Sequence, residues 1–434
     1  MNEPDEKAIR AWCMYDWANS VYNLVITTTF FPVYYDLITE KAYGNDIPFL
    51  GRTFKSTALY SYAVSFSYLA IAICLPWLTA LADASGSKKR FMQFFTYLGS
   101  AACIGLYGFK GEQPSLEWGM GCFVLAAIGY AGSLVFYNSY LPDLAPFSMR
   151  DRVSARGYSI GYMGSVILQV MGFGLVYYFN SRGDAALGMC FTFILVGLWW
   201  AGFSQLTFRH LPKPKKREGG ALFSSGYREL HKVWLDVKDK ILLKRFLQSF
   251  FFYSMGMQTV MAVATLVGSK EMGLSPAKLI ISVVLIQLVA IPGAMGISRL
   301  SERVGNIKML LGLVVVWVLI CMAAYQVIVR RQAGENVEIY FYGLAACIGF
   351  VMGGIQSLSR STYSKMLPDT FDTASYFSYY DVVEKLAIVA GTFLFGYMNE
   401  LAGTKNSLLL LIVFFVLGGI SLRMTLNAKG ADKL

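Results

Sequence analysis

Three ionisable residues, Asp381, Glu384 and Lys385, interrupt the apolar stretch "SYFSYYDVVEKLAIVAGTFLFGYM". On a helix this spacing puts all three on one face. If that helix enters a bilayer near Ser375, Lys385 lies about 15 Å deep, close to the midplane of a ~30 Å hydrocarbon core. A single charge at that depth costs on the order of 3 kcal/mol, so the face must line a cavity or another helix. Two chemistries follow. In the plainer one, Asp381 and Lys385 neutralise each other as an i, i+4 pair and merely tolerate burial. In the other, Lys385 is the counter-charge for an anionic substrate group and a carboxylate carries a proton. Glu384 is then the proton carrier, because Asp381 is the one placed to pair with Lys385. Ionisable residues inside a membrane favour the functional reading.

A second polar set opens the chain's first apolar run, "YDWANSVYNLVITTTFFPVYY". Asp16, Asn19, Ser20, Asn23 and Thr27 fall on one stripe of an α-helix. Asp16 reads equally well as a shallow helix N-cap. Asn23, two turns deeper, needs an interhelical hydrogen bond or a cavity. The stripe is expected to face a central aqueous path. Tyr137, Asn138, Tyr162, Gln169, Gln258, Gln287, Gln356 and Ser359 are further polar groups in apolar runs, each explicable as interhelical glue; of these Tyr137, Asn138 and Gln356, with Arg360, are also expected on the substrate and proton pathway. Arg360 is expected at the cytoplasmic boundary, reaching the interface by its long side chain.

The elements that must hold these residues are membrane helices. Of 434 residues, 56% are hydrophobic and only 15% charged, against about 25% charged in soluble domains. Apolar runs fall at roughly 12–37, 56–82, 91–109, 118–140, 153–179, 186–208, 246–268, 277–298, 309–329, 339–359, 375–398 and 406–426. Each is long enough for a bilayer. This predicts an all-α membrane protein of twelve transmembrane helices in two six-helix bundles, 1–208 and 246–434. Between them, 209–245 holds a Pro/Gly/Lys linker and an amphipathic helix with Phe223, Tyr227, Leu230, Trp234, Val237 and Ile241 on its apolar face. Alternate loops carry 27 of the 38 lysines and arginines, the opposite loops 10, and Lys385 stands alone inside a span. The positive-inside rule therefore places both termini in the cytoplasm. The net charge of +11 faces anionic lipid and calls for no nucleic acid.

The two halves repeat. "LADASGSKK" (81–89) aligns with "LSERVGNIK" (300–308), matching Asp83 with Glu302, Gly86 with Gly305 and Lys89 with Lys308. "YNSYLPD" (137–143) aligns with "TYSKMLPD" (362–369) through Leu-Pro-Asp. Such duplication marks secondary transporters with a site between the repeats. The acidic N-terminus is unlike a signal peptide, and the lack of Asn-x-Ser/Thr sequons suits a bacterial inner membrane. Seven scattered cysteines form neither a disulfide framework nor a metal site. His210 and His231, the only histidines, lie in the linker, so proton coupling would fall to carboxylates. No phosphate loop, HExxH or GxSxG occurs, so neither a catalytic set nor a cofactor is expected. The partners expected are a small-molecule substrate, membrane lipid and protons as coupling ion, with the chain a monomer.

The loop "LADASGSKKR" resembles the signature of the major facilitator superfamily, with Asp83, Gly86, Lys89 and Arg90 in its acidic, glycine and basic places and Thr79 or a neighbour replacing the leading glycine. "YDWANSVYN" (15–23), "YNSYLPDLA" (137–145), "RVSARGYSIGYMG" (152–164), "QSLSRSTYSKMLP" (356–368) and "YYDVVEK" (379–385) resemble its vacuole-effluxer-like branch, with Ser378 where glycine is usual. The resemblance implies a twelve-helix transporter working by alternating access, with amino acids as cargo. Asp83, Gly86, Lys89 and Arg90, with Glu302 and Lys308, would then form a cytoplasmic gate. An exporter of amphiphiles or drugs, and a transporter-shaped sensor that no longer transports, remain as alternatives.

Overall fold

The computed structural model describes residues 5–44, 46–110, 115–212, 222–370 and 372–428, and is almost wholly helical. The chain divides into two compact units, Met1–Tyr140 with Ile160–Gly226, and Leu141–Ser159 with Tyr227–Leu434. Among the described residues, eight helices are long and apolar enough to cross a membrane.

The first unit begins with α1 (Glu6–Val21), whose N-cap is Asp5: its carboxylate accepts from the amides of Lys7 and Ala8. The chain then runs through a π-helical stretch, Tyr22–Phe30, into α2 (Phe31–Tyr43). A short hairpin follows, β1 (Asp46–Phe49) and β2 (Arg52–Lys55), turning through Leu50 and Gly51, both at positive φ. Next come α3 (Ser56–Ala84), α4 (Lys88–Gly105) and α5 (Ser115–Ser139). After the single-turn α6 (Leu141–Leu144), α7 (Arg150–Asn180) starts in the second unit and ends in the first, and α8 (Ala185–His210) closes the first unit. Its core is aromatic: Phe31 stacks on Phe123 at 4.2 Å, and Tyr34 donates to the carbonyl of Phe109.

The second unit contains α9 (Leu222–Asp239) from Tyr227 onward, α10 (Ile241–Lys270), α11 (Pro276–Val304), α12 (Asn306–Gln332), α13 (Glu338–Met366) and α14 (Thr373–Leu426). The two apolar runs at 375–398 and 406–426 both lie in α14, which is interrupted at Gly403 (φ 79°). Glycines let α11 and α13 approach closely. A Cβ added at Gly353 would stand 2.2 Å from the Ala290 carbonyl oxygen, and one at Gly349 2.3 Å from that of Ile286. Small residues at such contacts are the usual basis of tight helix packing in lipid.

The linker helix differs from its expected register. It ends at Asp239, so Ile241 opens the next helix, and the buried positions are Val233 and Val237 while Trp234 is 53% exposed. Phe223, Tyr227 and Leu230 lie outside the residues whose side chains are described, as does most of the Pro/Gly/Lys segment. The helix docks on the start of α14: Lys232 meets Asp372 at 3.2 Å, Tyr376 donates to Asp236, and Trp234 lies 6.0 Å from the Tyr379 ring. Burial works to raise the Asp236 carboxyl, but hydrogen bonds from Lys240 and Tyr376 hold it below its usual range.

Candidate functional site

In the second unit, α14 carries Asp381, Glu384 and Lys385 inward. Asp381 is 1% exposed and Lys385 4%. The Lys385 ammonium lies 2.9 Å from Glu384 Oε2 and 3.7 Å from Asp381 Oδ2. The expected Asp381–Lys385 ion pair is present, and Glu384 adds a second, closer partner to the same ammonium. Asp381 Oδ2 has no hydrogen-bond partner among the described residues. From α10, Gln258 donates to Glu384 Oε1 at 3.2 Å, so this glutamine touches the charged cluster directly. Aromatic residues pack on the same turn of α14. Phe250 stacks on Tyr380 at 4.2 Å, and Tyr363 lies 5.0 Å from the same ring.

In the first unit, α1 holds Asp16 in mid-helix, 3% exposed, where Tyr137 from α5 donates to its Oδ2 at 2.7 Å. The N-cap reading of Asp16 is therefore overturned, because α1 starts ten residues earlier and Asp5 caps it. Tyr137 is fixed by stacking on Trp12 at 4.4 Å and by the Trp12 indole, which donates to the Tyr137 carbonyl at 2.8 Å. Asn19, one turn on from Asp16, is 1% exposed, and neither its amide nitrogen nor its oxygen finds a partner among the described residues. A buried unsatisfied amide costs about 1–3 kcal/mol.

The rest of the stripe is only partly buried. Ser20 points at α7, where a Cβ on Gly161 would stand 2.5 Å from its hydroxyl. Asn23 and Thr27 are partly exposed on the π-helical stretch, where i→i+5 bonding shifts the register that an α-helical wheel assumes. Asn138 is buried, and Gln356 is partly exposed on α13. Gln169 donates to Thr29 at 2.8 Å and Ser359 meets the Tyr253 hydroxyl at 2.7 Å, both serving as ties between helices.

Arg360 corrects another expectation. It is 1% exposed and among the largest fully buried side chains, so it does not reach an interface. Its guanidinium donates to the hydroxyl and carbonyl of Ser154, each at 2.9 Å, and lies 4.2 Å from the Tyr158 ring. Lys385 is thus not the only deeply buried basic residue of the second unit. The loop residues divide similarly. Gly86 (φ 64°) and Gly305 (φ 92°) take the same left-handed role at the matched helix junctions, a conformation glycine adopts without steric cost. Asp83 is buried at the end of α3, Lys89 reaches the Leu211 carbonyl at 3.5 Å, Glu302 bonds Arg152 at 3.1 Å, and Arg90 and Lys308 are exposed.

Sequence reasoning missed Asp151, Lys365 and Asn306, which form a buried cluster: Lys365 lies 2.5 Å from Asp151 Oδ2, and Asn306 donates to Asp151 Oδ1 at 2.8 Å. The available signal was an aspartate set between Arg150 and Arg152, passed over as part of a basic loop.

The family model for vacuole effluxer Atg22-like proteins matches residues 5–433. The chain belongs to that family. It is 28% identical to the MFS-type transporter YxiO of Bacillus subtilis, over 98% of this chain and 96% of that protein. It is 22% identical to autophagy-related protein 22-2 of Emericella nidulans, over 88% of this chain and 79% of that one. Two solved structures align at a TM-score of 0.70: a bacterial homologue of the iron transporter ferroportin in an outward-facing state (10% identity, 97% and 99% of the two chains) and the human organic anion transporter MFSD10 (13%, 97% and 100%). This Atg22-like chain therefore has the all-helical major facilitator fold and is an integral membrane transporter of that type.

Proposed function

We propose that the protein is a secondary active transporter that moves a small polar solute, amino acids foremost, by alternating access coupled to protons. The twelve apolar runs are its twelve spans, grouped as 1–208 and 246–434 about the linker, and both termini face the cytoplasm of a bacterial inner membrane. The observation that carries this reading is the buried cluster of Asp381, Glu384, Lys385 and Gln258 on α14 and α10. Charges at such depth are retained where cargo or ions pass. Lys385 receives an anionic group of the cargo by exchanging one of its carboxylate partners. Asp381 replaces Glu384 as the proton carrier, because its Oδ2 accepts no hydrogen bond while both Glu384 oxygens do. Asp16, Tyr137, Asn138, Asn19 and Asn23 offer the polar contacts of the first half, and Gln356 and Arg360 further ones of the second. Asp83, Gly86, Lys89, Arg90, Glu302 and Lys308 act at the cytoplasmic gate.

Amino-acid binding is tested by thermal unfolding of the purified protein with a panel of amino acids, small peptides and hydrophobic amines. Amino acids should raise the midpoint in the native protein and leave Lys385→Met unmoved. Stabilisation by amphiphilic amines alone would replace this reading with a drug exporter.

A further inference from the structure

We propose that the β1–β2 hairpin is a membrane anchor of the first unit. Its apex residue, Leu50, inserts into the headgroup–acyl boundary of the leaflet beside the N-terminal end of α3, the outer leaflet in the orientation proposed above. Phe49 pairs with Arg52 across the strands, so the turn has two residues, Leu50 and Gly51, at φ 48° and 76°. Positive φ at both central positions is the type I′ pattern, which favours Asn-Gly or Asp-Gly. Larger side chains are disfavoured there because their Cβ crowds the backbone. Among the described residues Leu50 is the only non-glycine at positive φ, and it is 75% exposed. Turn chemistry and contact with water would both select asparagine or glycine at this position. A leucine held there points to an apolar surrounding that lies outside the protein.

What adjoins the hairpin identifies that surrounding. Lys55 ends β2 and Ser56 opens α3, so the hairpin runs straight into a membrane-spanning helix. Along α3, Tyr62, Phe66, Leu69 and Ile73 are exposed at i, i+4, i+7 and i+11, one apolar stripe that meets the acyl chains. Phe54 of β2 lies 6.1 Å from the Tyr62 ring, edge to face, so the stripe continues from α3 onto the hairpin. Aromatic residues at the end of a span are usual at the membrane–water interface. The hairpin is also firmly held. Ile47 is fully buried in the core of the first unit, Lys55 meets Asp46 at 2.6 Å across the strand ends, and Tyr35 from α2 donates to the Ser56 carbonyl at 2.9 Å. A second copy of the chain could cover the same apex, but continuity with the lipid-facing stripe favours the bilayer.

The test uses the full-length protein in phosphatidylcholine nanodiscs, with its native cysteines replaced and a fluorophore attached at Leu50→Cys. Phe66→Cys on the α3 stripe is the lipid reference, and Glu335→Cys in the exposed turn between α12 and α13 is the water reference. Lipid spin-labelled high on its acyl chain should quench the label at 50 to within about two-fold of the label at 66, and iodide should quench it about three-fold or more weakly than the label at 335. Iodide quenching equal to that at 335 would overturn the anchor. So would a label reached by neither quencher, which marks a second copy or another protein on the apex. Leu50→Asn adds a test of sign. Turn chemistry alone predicts slower hydrogen exchange of the hairpin amides, because asparagine suits a type I′ turn. Loss of the membrane seat predicts exchange faster by about three-fold or more, and slower or unchanged exchange overturns the proposal. Neither readout involves cargo, so both stand apart from the outcome of any transport assay.

Discussion

Replacing Lys385 by methionine removes the ammonium and keeps most of the side chain's volume. Two carboxylates then remain on α14, one at 1% exposure and one whose side chain is 22% exposed. Breaking a fully buried ion pair costs about 3–5 kcal/mol, because the surviving charge is left without compensation. Access of water to Glu384 lowers that figure toward about 3 kcal/mol, similar to the cost of one carboxylate at a helix centre. Adding Glu384→Gln to Lys385→Met removes one of the two carboxylates that lost their cation and should recover about half of the loss, Asp381 remaining uncompensated. Transport should stay absent in both, since neither variant offers a cation to the cargo. Equilibrium unfolding in mixed micelles reads the first quantity and proteoliposome uptake the second. Native-like uptake by well-folded Lys385→Met would refute the reasoning, and so would a double variant no more stable than the single one.

Tyr137→Phe deletes the hydroxyl that bonds Asp16 Oδ2, and should cost about 2 kcal/mol in unfolding experiments, as for other hydrogen bonds to charged groups, with a fall in transport. Gly353→Ala forces a Cβ against the Ala290 carbonyl and should cost about 2 kcal/mol, whereas Gly296→Ala, with open space at its Cβ, should be neutral; thermal unfolding of the two variants decides this. The depressed Asp236 carboxyl contributes stability above the ordinary aspartate value of about 3.9, and this is lost as pH falls through the lower folded value. Protection of the α9 amides, corrected for the intrinsic pH dependence of exchange, should therefore fall in acid, and Asp236→Asn should show the lower protection already at neutral pH.

The charged triplet, the apolar runs and the repeated junctions were legible because each is a local pattern: periodicity, depth and a glycine three residues after an acid. What was not legible depended on side-chain reach or on partners distant in sequence. Lys385 could be placed on its face and paired with Asp381, but its closer contact with the adjacent Glu384 depends on how far that side chain folds back. Asp16 looked like a cap because the helix start was set by hydropathy at 12, whereas Asp5, in a polar segment, caps a helix that begins at Glu6. Arg360 and Lys365 were counted as loop charges, yet Ser154 and Asp151, more than two hundred residues earlier, take them into the protein. A π-helical stretch gives no signature in a periodicity that assumes i→i+4 bonding, so the one below Val21 was not foreseen.

The most direct test of the central claim is uptake of radiolabelled amino acids into proteoliposomes holding the native protein, under an imposed pH gradient. The account predicts accumulation that follows the direction of the gradient and vanishes in Asp381→Asn. Accumulation indifferent to the gradient, or unchanged in that variant, would contradict it.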